Sequence, residues 1–492
     1  MTTVSLTQIP DNWNVPGSNA EITAIRSGNT PTAMPLRVLL IGQLAGGIAQ
    51  ANVPVPVTDP SQPPALFGTG TALARQAVKF LGAGPYVQVD VIGVAPAQGA
   101  VAATGAILPA GTATGNGTIA VLVGGVRVPV VLTKGTTAAQ AQAAIVAALA
   151  TVTDAATIAT AVADGASASV NFTVKEVGVH GNSIDLRMSA AHADQVPGLT
   201  FAVTPFSGGA GSPDITSALD AVSNVWYTDM HLCLTDAPNL ATFTTELTRR
   251  YGAMVRKDAH GFIGIRGSYS DALALQATLN CPYLCVLPAN NPLWSPWEAG
   301  AVLCAVAAQA SNSDPARQMQ DLVLTGLEGL GPADADLYDE TMRNVLLGTG
   351  GSTFKVGQDG TVSLERVVTT YQTDANGLPD TAWQDIMTVK TDTRVRYEWR
   401  SYTSSWSRLK LADDGSTLSL ADGVLTPSIA KTEALIQMKL WEAQGWIENV
   451  DGLADQVQFW RDPQNKNRLL YVMPIQVIGN VIRVDGQIQT EY

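Results

Sequence analysis

The sequence predicts a multidomain protein of α/β and α+β type. An α/β middle domain is interrupted by an inserted α+β outer domain, and a C-terminal α+β domain and extended terminal strands complete the chain. Three observations carry this expectation. Apolar strands alternate with helices from residue 36 to about 310, the pattern of a mostly parallel sheet covered on both faces. The alternation breaks at 98–207, a stretch opened by "APAQGAVAATGA" and closed by "FSGGAGSPD", both Gly/Ala/Ser/Pro linkers. After residue 320 the chain becomes richer in charge and tryptophan. At 492 residues it is too long for one ordinary core, so two to four domains are expected. The boundaries follow from the composition shifts: an N-terminal arm at 1–25, a discontinuous middle domain at 26–97 and 208–320, an inserted domain at 98–207, a C-terminal domain at 321–479 and a C-terminal arm at 480–492.

The elements follow in order. The first thirty residues are polar and turn-rich, with "TVSLTQI" (3–9) as a possible short strand carrying Val4 and Leu6. "LRVLLIG" (36–42) reads as a buried strand, "GTALARQAVKFLG" (70–82) as a helix and "YVQVDVIGV" (86–94) as the next strand. Inside the interruption, "GTIAVLVGGVRVPVVLT" (117–133) reads as a hairpin around Gly124-Gly125, with an Ala-rich helix after it and strands at 169–178 and 199–206. The alternation then resumes with strands at 229–235, 260–267 and 281–289, and helices at 239–258, 270–280 and 295–310. Ser270 is the expected N-cap of the middle helix.

Beyond residue 320, "DLYDETMRNVLLGTG" (336–350) reads as a helix ended by Gly348, and "GTVSLERVVTTYQT" (360–373) as a strand. Thr381 and Gln384 have capping-box spacing, so a helix is expected to begin there. Its later half alternates Val395, Tyr397 and Trp399 with charged residues, a strand-like period that pattern alone does not resolve. "TPSIAKTEALIQMKLWEAQGWI" (426–447) is a helix with Thr426 as N-cap and Pro427 in its first turn. Ile429, Ile436, Leu440, Ala443 and Ile447 make its expected apolar stripe, with Lys431 and Lys439 off it. In "IRVDGQIQTEY", Ile482, Val484, Ile488, Thr490 and Tyr492 share one parity, as in a half-buried strand. Such a strand must pair with something.

The residues offer little chemistry. Only 14% are charged, which suggests a surface largely covered by neighbours. The net charge of −13 and the lack of any run of four or more Lys/Arg make nucleic acid and anionic membranes poor partners. Cys233, Cys281, Cys285 and Cys304 lie in apolar segments, as buried free thiols of a reducing cytoplasm would. The four histidines show no metal-binding spacing. No Rossmann or P-loop fingerprint follows the first strand, and "GIRGSYSDA" lacks nucleophile-elbow spacing, so no cofactor and no catalytic residue is expected. The N-terminus is not a secretory signal, and the most apolar stretch (138–152) falls short of the ~18 residues that span a bilayer. Glu365 and Arg366 are adjacent on a strand and so point to opposite faces, which favours a structural ion pair at an interface or sheet edge over a tuned acid.

"FKVGQDGTVSLERVVTTYQTDANGLPDTAWQDI" (354–386) resembles the C-terminal domain of contractile phage tail sheath proteins. From "TAMPLRVLLIGQLAGG" (32–47) onward the chain looks like the sheath of Mu-like phages, apart from the generic 98–207 segment. The resemblance implies a non-enzymatic subunit that stacks as six-membered rings around a tail tube and contracts on a baseplate signal. It implies self-association, with tail tube, baseplate and terminator proteins as partners, assembly in a host cytoplasm and a final place in the virion tail. It also implies that the terminal arms add strands to neighbouring subunits, here through Val4, Leu6, Ile482, Val484, Ile488 and Tyr492. The helix at 426–447 would face the tube, with Lys431 and Lys439 as contacts, and the stretch near 380–400 would be helical. The sheet containing Glu365 and Arg366 would be completed by a neighbour's arm. The competing expectations are an α/β oxidoreductase or hydrolase, and another virion surface protein.

Overall fold

The computed structural model describes residues 34–415, 420 and 423–490. The chain divides into two compact bodies, one of residues 34–397, 445–449 and 475–492, the other built around 398–444 and 450–474. Residues 321–397 therefore pack with the larger body.

The larger body begins with strand β1 (Arg37–Gln43), β2 (Val55–Val57), helices α1 (Gln62–Phe67) and α2 (Ala72–Ala83), and β3 (Gln88–Val94). The interruption supplies β4 (Ala102–Gly111), β5 (Gly117–Val123), β6 (Val126–Leu132), α3 (Ala138–Thr151), α4 (Thr153–Ile158), β7 (Ala159–Ala163), β8 (Val170–Val177), β9 (Leu186–Met188) and β10 (Leu199–Ser207). The alternation resumes through α5 (Thr216–Ala221), β11 (Asp229–Leu232), α6 (Ala237–Tyr251), β12 (His260–Arg266), α7 (Tyr269–Gln276), β13 (Leu284–Ala289) and α8 (Pro296–Ser313).

These strands form one six-stranded sheet in the order β13-β12-β11-β1-β3-β2, parallel except for β2 at one edge. The expected double cover is visible in the parity of two glycines on β12. A Cβ on Gly261 would meet Phe243 and Leu247 of α6, whereas one on Gly264 would lie 2.1 Å from the Pro296 carbonyl of α8. Gly300 of α8 faces Gly264 in turn, so helix and strand backbones touch. Gly264→Ala is expected to cost about 1–3 kcal/mol or more in chemical denaturation, because backbone rather than a movable side chain must yield.

The interruption folds as two sheets of its own, β10-β4-β8-β7 and β6-β5-β9, around a core that includes Ile107, Val121, Leu149 and Phe172. The expected hairpin is present, with Gly124 and Gly125 at φ +54° and +80°, as a tight two-residue turn requires.

Three corrections follow downstream. The expected strand 360–373 shortens to β15 (Val362–Arg366), which pairs with β14 (Thr353–Val356) after α9 (Glu340–Gly348). Its continuation seals the sheet edge instead: Thr369 bridges Cys285, and the Thr370 N–H donates to Leu284 O. Both threonines are fully buried, which closes an edge that would otherwise be open to other chains. Helix α10 (Ile386–Ser404) starts later than its capping-box spacing suggested, because Gln384 is engaged elsewhere. Its carbonyl accepts from Thr369, and its side chain donates to Leu347 O. The alternation at 395–399 is helical after all, as the resemblance implied. Finally, the N-cap of α7 is Ser268 rather than Ser270, in a reciprocal capping box with Asp271.

The smaller body holds β16 (Lys410–Leu411), β17 (Val424–Leu425) and α11 (Pro427–Ala443). It also holds α12 (Val450–Leu453) and the hairpin β19 (Gln458–Arg461) and β20 (Leu469–Val472). The pair β18 (Ile447–Glu448) and β21 (Gln476–Val477) belongs to the larger body.

Candidate assembly surface

The C-terminal segment leaves its last sheet at β21. The Ile478 N–H still donates to Trp446 O, but no residue from Gly479 to Thr490 belongs to a strand or helix. Ile482 is 44% exposed, Val484 85% and Ile488 93%. The expected half-buried strand is therefore neither buried nor paired among the described residues. Alternation selects a face, but one strand cannot supply the neighbour that buries it. Val4, Leu6 and Tyr492, the other residues expected in this role, lie outside the described residues.

An unfilled sheet exists in the smaller body. Strands β19 and β20 form a two-stranded sheet, and among the described residues no third strand flanks it. Phe459 stacks on Tyr471 at 5.4 Å, and Trp399 meets both rings edge-on. That anchors one face, while Trp460, Tyr471 and Val472 stay between 39% and 52% exposed. A lone hairpin is marginal in water and gains from a third strand. Sequence reasoning passed over this hairpin, although "RDPQN" between two apolar runs was a usable turn signal.

Helix α11 starts as expected, with the Thr426 side chain accepting from the Ile429 N–H. Its buried face is different from the expected stripe: Ala430, Ala434, Gln437, Met438 and Trp441 point inward, and Ile436 is 51% exposed. The Trp441 indole donates to buried Glu398, which draws that turn toward the polar side of the helix. Lys439 is held by Glu442 and Asp451, each 2.8 Å away, so it is not a free contact. Lys431 is half-buried, with no ion pair among the described residues.

Glu365 and Arg366 do diverge, but each is satisfied inside the chain. Glu365 pairs with Arg343 at 2.8 Å and Lys355 at 3.7 Å. Arg366 grips Asp385 through two nitrogens, at 3.0 and 2.8 Å. Strand β15 has β14 on one edge, and residues 321–324 hydrogen-bond along the other. It offers no open edge to an arm.

His231, His260 and the four cysteines are buried. Burial lowers His231 to about 4 and His260 to about 3, so both are neutral near pH 7. Burial raises all four cysteine thiols, Cys281 to about 11, so none is an activated nucleophile. Among the described residues no set of three or more His, Cys, Asp or Glu could hold a metal ion, and no helix is long and apolar enough to cross a membrane. Asp392 is the unusual acid. Burial raises it to about 6, against a lesser pull downward from Trp383 and Arg396.

That shift sets a pH test. A raised carboxyl favours the folded state most when protonated, so its contribution is complete below pH ~4 and is lost as the pH rises through ~6. Asp392→Asn keeps the shape without the charge. It is expected to be more stable than the parent by about 2–3 kcal/mol at pH 7.5, and equal to it near pH 4, by denaturation at both values.

Comparison with known proteins returns one theme. Residues 208–370 match the family model described as the phage tail sheath protein central domain. The chain is 28% identical over 472 residues to a Mu-like prophage FluMu tail sheath protein of Haemophilus influenzae, covering 95% of each chain. Among solved structures, a sheath tail protein from Desulfitobacterium hafniense aligns with a TM-score of 0.48 at 13% identity, covering 93% of this chain and all of that one. The contracted helical sheath of the anti-feeding prophage aligns at 0.47 and 10% identity, covering 97% of this chain and 99% of that one. The chain thus carries a match to the phage tail sheath central domain at 208–370 and is similar over nearly its whole length to a Mu-like prophage tail sheath protein, as the resemblance indicated.

Proposed function

We propose that this chain, with its phage tail sheath central domain, is the subunit of a contractile phage tail sheath. It polymerises as stacked hexameric rings around a tail tube and contracts to drive the tube through the host envelope. The observation that carries this reading is the C-terminal segment, whose row of Ile482, Val484 and Ile488 is exposed and has no strand partner among the described residues. Strand addition gives such a row a partner and links one copy to the next. The β19–β20 hairpin of a neighbouring copy is the acceptor, since it has exposed apolar side chains and no third strand among the described residues. A donor on one surface and an acceptor on another make a heterologous contact, which grows into rings and helices instead of closing as a dimer. Val4, Leu6 and Tyr492 extend the same linkage.

In this reading α11 faces the tube through Lys431 and exposed Ile436, and baseplate and terminator proteins bound the polymer. The subunit is assembled in the host cytoplasm and ends in the virion tail. Contraction consumes no nucleotide, because the energy is stored when the extended lattice forms. Negative-stain microscopy of the concentrated protein should show rings or long tubes, and a strictly monomeric protein would overturn the proposal. Lys431→Glu is expected to leave polymers intact while weakening co-sedimentation with tubes severalfold.

A further inference from the structure

In open α/β sheets the ligand crevice lies at the carboxyl ends of the strands, where strand order reverses. That reversal falls here between β1 and β11, since β1 has β3 on its other side. The crevice is covered by the chain's own residues 176–183. Gln43, at the end of β1, donates to Val177 O at 2.6 Å. Gly178 sits at φ +122° with His180 and Gln43 packed about 3 Å from where a Cβ would stand. The Glu176 carboxylate reaches α2, where its Oε2 accepts from the Ala72 N–H at 2.8 Å.

The first turn of a helix favours an anion, because its N–H groups lack intrahelical partners. The surroundings favour one too. Trp297 is only 2% exposed, its Nε1 has no hydrogen-bond partner, and it lines the same cavity of about 170 Å³ as Ala72, Arg75 and Glu176. Glu176 Oε1 lies 3.1 Å from His180 Nε2, although neither atom makes an aligned hydrogen bond. Arg75 reaches Glu298 and Gly124 O from the cavity wall. Glu176 itself is 7% exposed, and a carboxylate buried that deeply needs compensation of this kind.

We propose that the first turn of α2, together with Trp297, is a carboxylate receptor that the chain fills with its own Glu176, latching residues 176–183 over the crevice. The receptor takes a small carboxylate anion, and its internal occupant holds the inserted sheets against the six-stranded sheet. This inference stands apart from the sheath reading, since it needs no second copy.

Chemical rescue tests it. In Glu176→Ala, amide hydrogen exchange at 176–183 should rise more than about tenfold while β1 and β11 keep their protection. Formate or acetate should restore most of that protection, and acetamide or chloride at equal concentration should not. Unchanged exchange in the variant, or equal effects of acetate and acetamide, would overturn the proposal. Should that variant fail to fold, Glu176→Gln keeps the side-chain shape and removes the charge. Faster exchange confined to 176–183 then supports the latch, and exchange like that of the parent refutes it.

Discussion

Removal of residues 481–492 is expected to abolish polymerisation and leave the melting temperature of the monomer unchanged. Both halves follow from exposure. Val481, Val484 and Ile488 are 78%, 85% and 93% exposed, and the one ion pair of this stretch among the described residues, Arg483 with Asp485, is itself exposed. Exposed pairs of this kind contribute about 0–1 kcal/mol, so the monomer loses nothing measurable. The lattice loses the strand that joins copies, with its main-chain hydrogen bonds and alternate apolar side chains. Val484→Asp with Ile488→Asp should act in the same direction without shortening the chain. Microscopy and sedimentation read the assembly, and circular dichroism reads the melt. Polymers that survive the truncation would sink strand linkage through this segment. A melting point lowered by several degrees would show that the segment packs within its own subunit.

Lys390→Met is expected to have the largest effect on stability, a loss of about 3–5 kcal/mol. Lys390 lies on α10 with its Nζ 2.5 Å from Asp229, at the start of β11, and both side chains are at least 96% buried. The ammonium also stands 5.6 Å from the centre of the Phe262 ring. Removing the lysine strands a buried carboxylate, and the size of the loss comes from that uncompensated charge. The pair itself contributes little net stability, since desolvating both ions offsets most of their attraction. Lys390→Met combined with Asp229→Leu should therefore recover most of the loss. Urea denaturation with an unchanged m-value would measure both variants. A single variant within 1 kcal/mol of the parent would mean that water reaches the site.

This ion pair marks where sequence reading stopped. Asp229 and Lys390 are 161 positions apart, and nothing local distinguishes them from surface residues. The same holds for Glu176, which lies on a strand and accepts from the first turn of a helix 104 residues earlier. Glu365 and Arg366 were expected to be interface or sheet-edge charges, and both are paired inside the chain. Their partners Arg343 and Asp385 lie about twenty residues away on either side, beyond the reach of pattern. The stripe on α11 failed for a related reason. Isoleucine and leucine at helical spacing predicted the inner face, but a buried indole–carboxylate bond turned the Trp441 side inward.

The sequence by itself determined the succession of strands and helices that build the parallel sheet and the apolar alternation of the terminal row. Each depends on side-chain periodicity, turn glycines and caps, which act over a few residues and can be read locally. Tertiary structure alone decided which edges remain open. Thr369 and Thr370 close the sheet at β13, residues 321–324 close β15, and among the described residues the β19–β20 hairpin has no third strand. A backbone edge has the same donors and acceptors whatever its sequence, so its availability depends on what distant chain reaches it first.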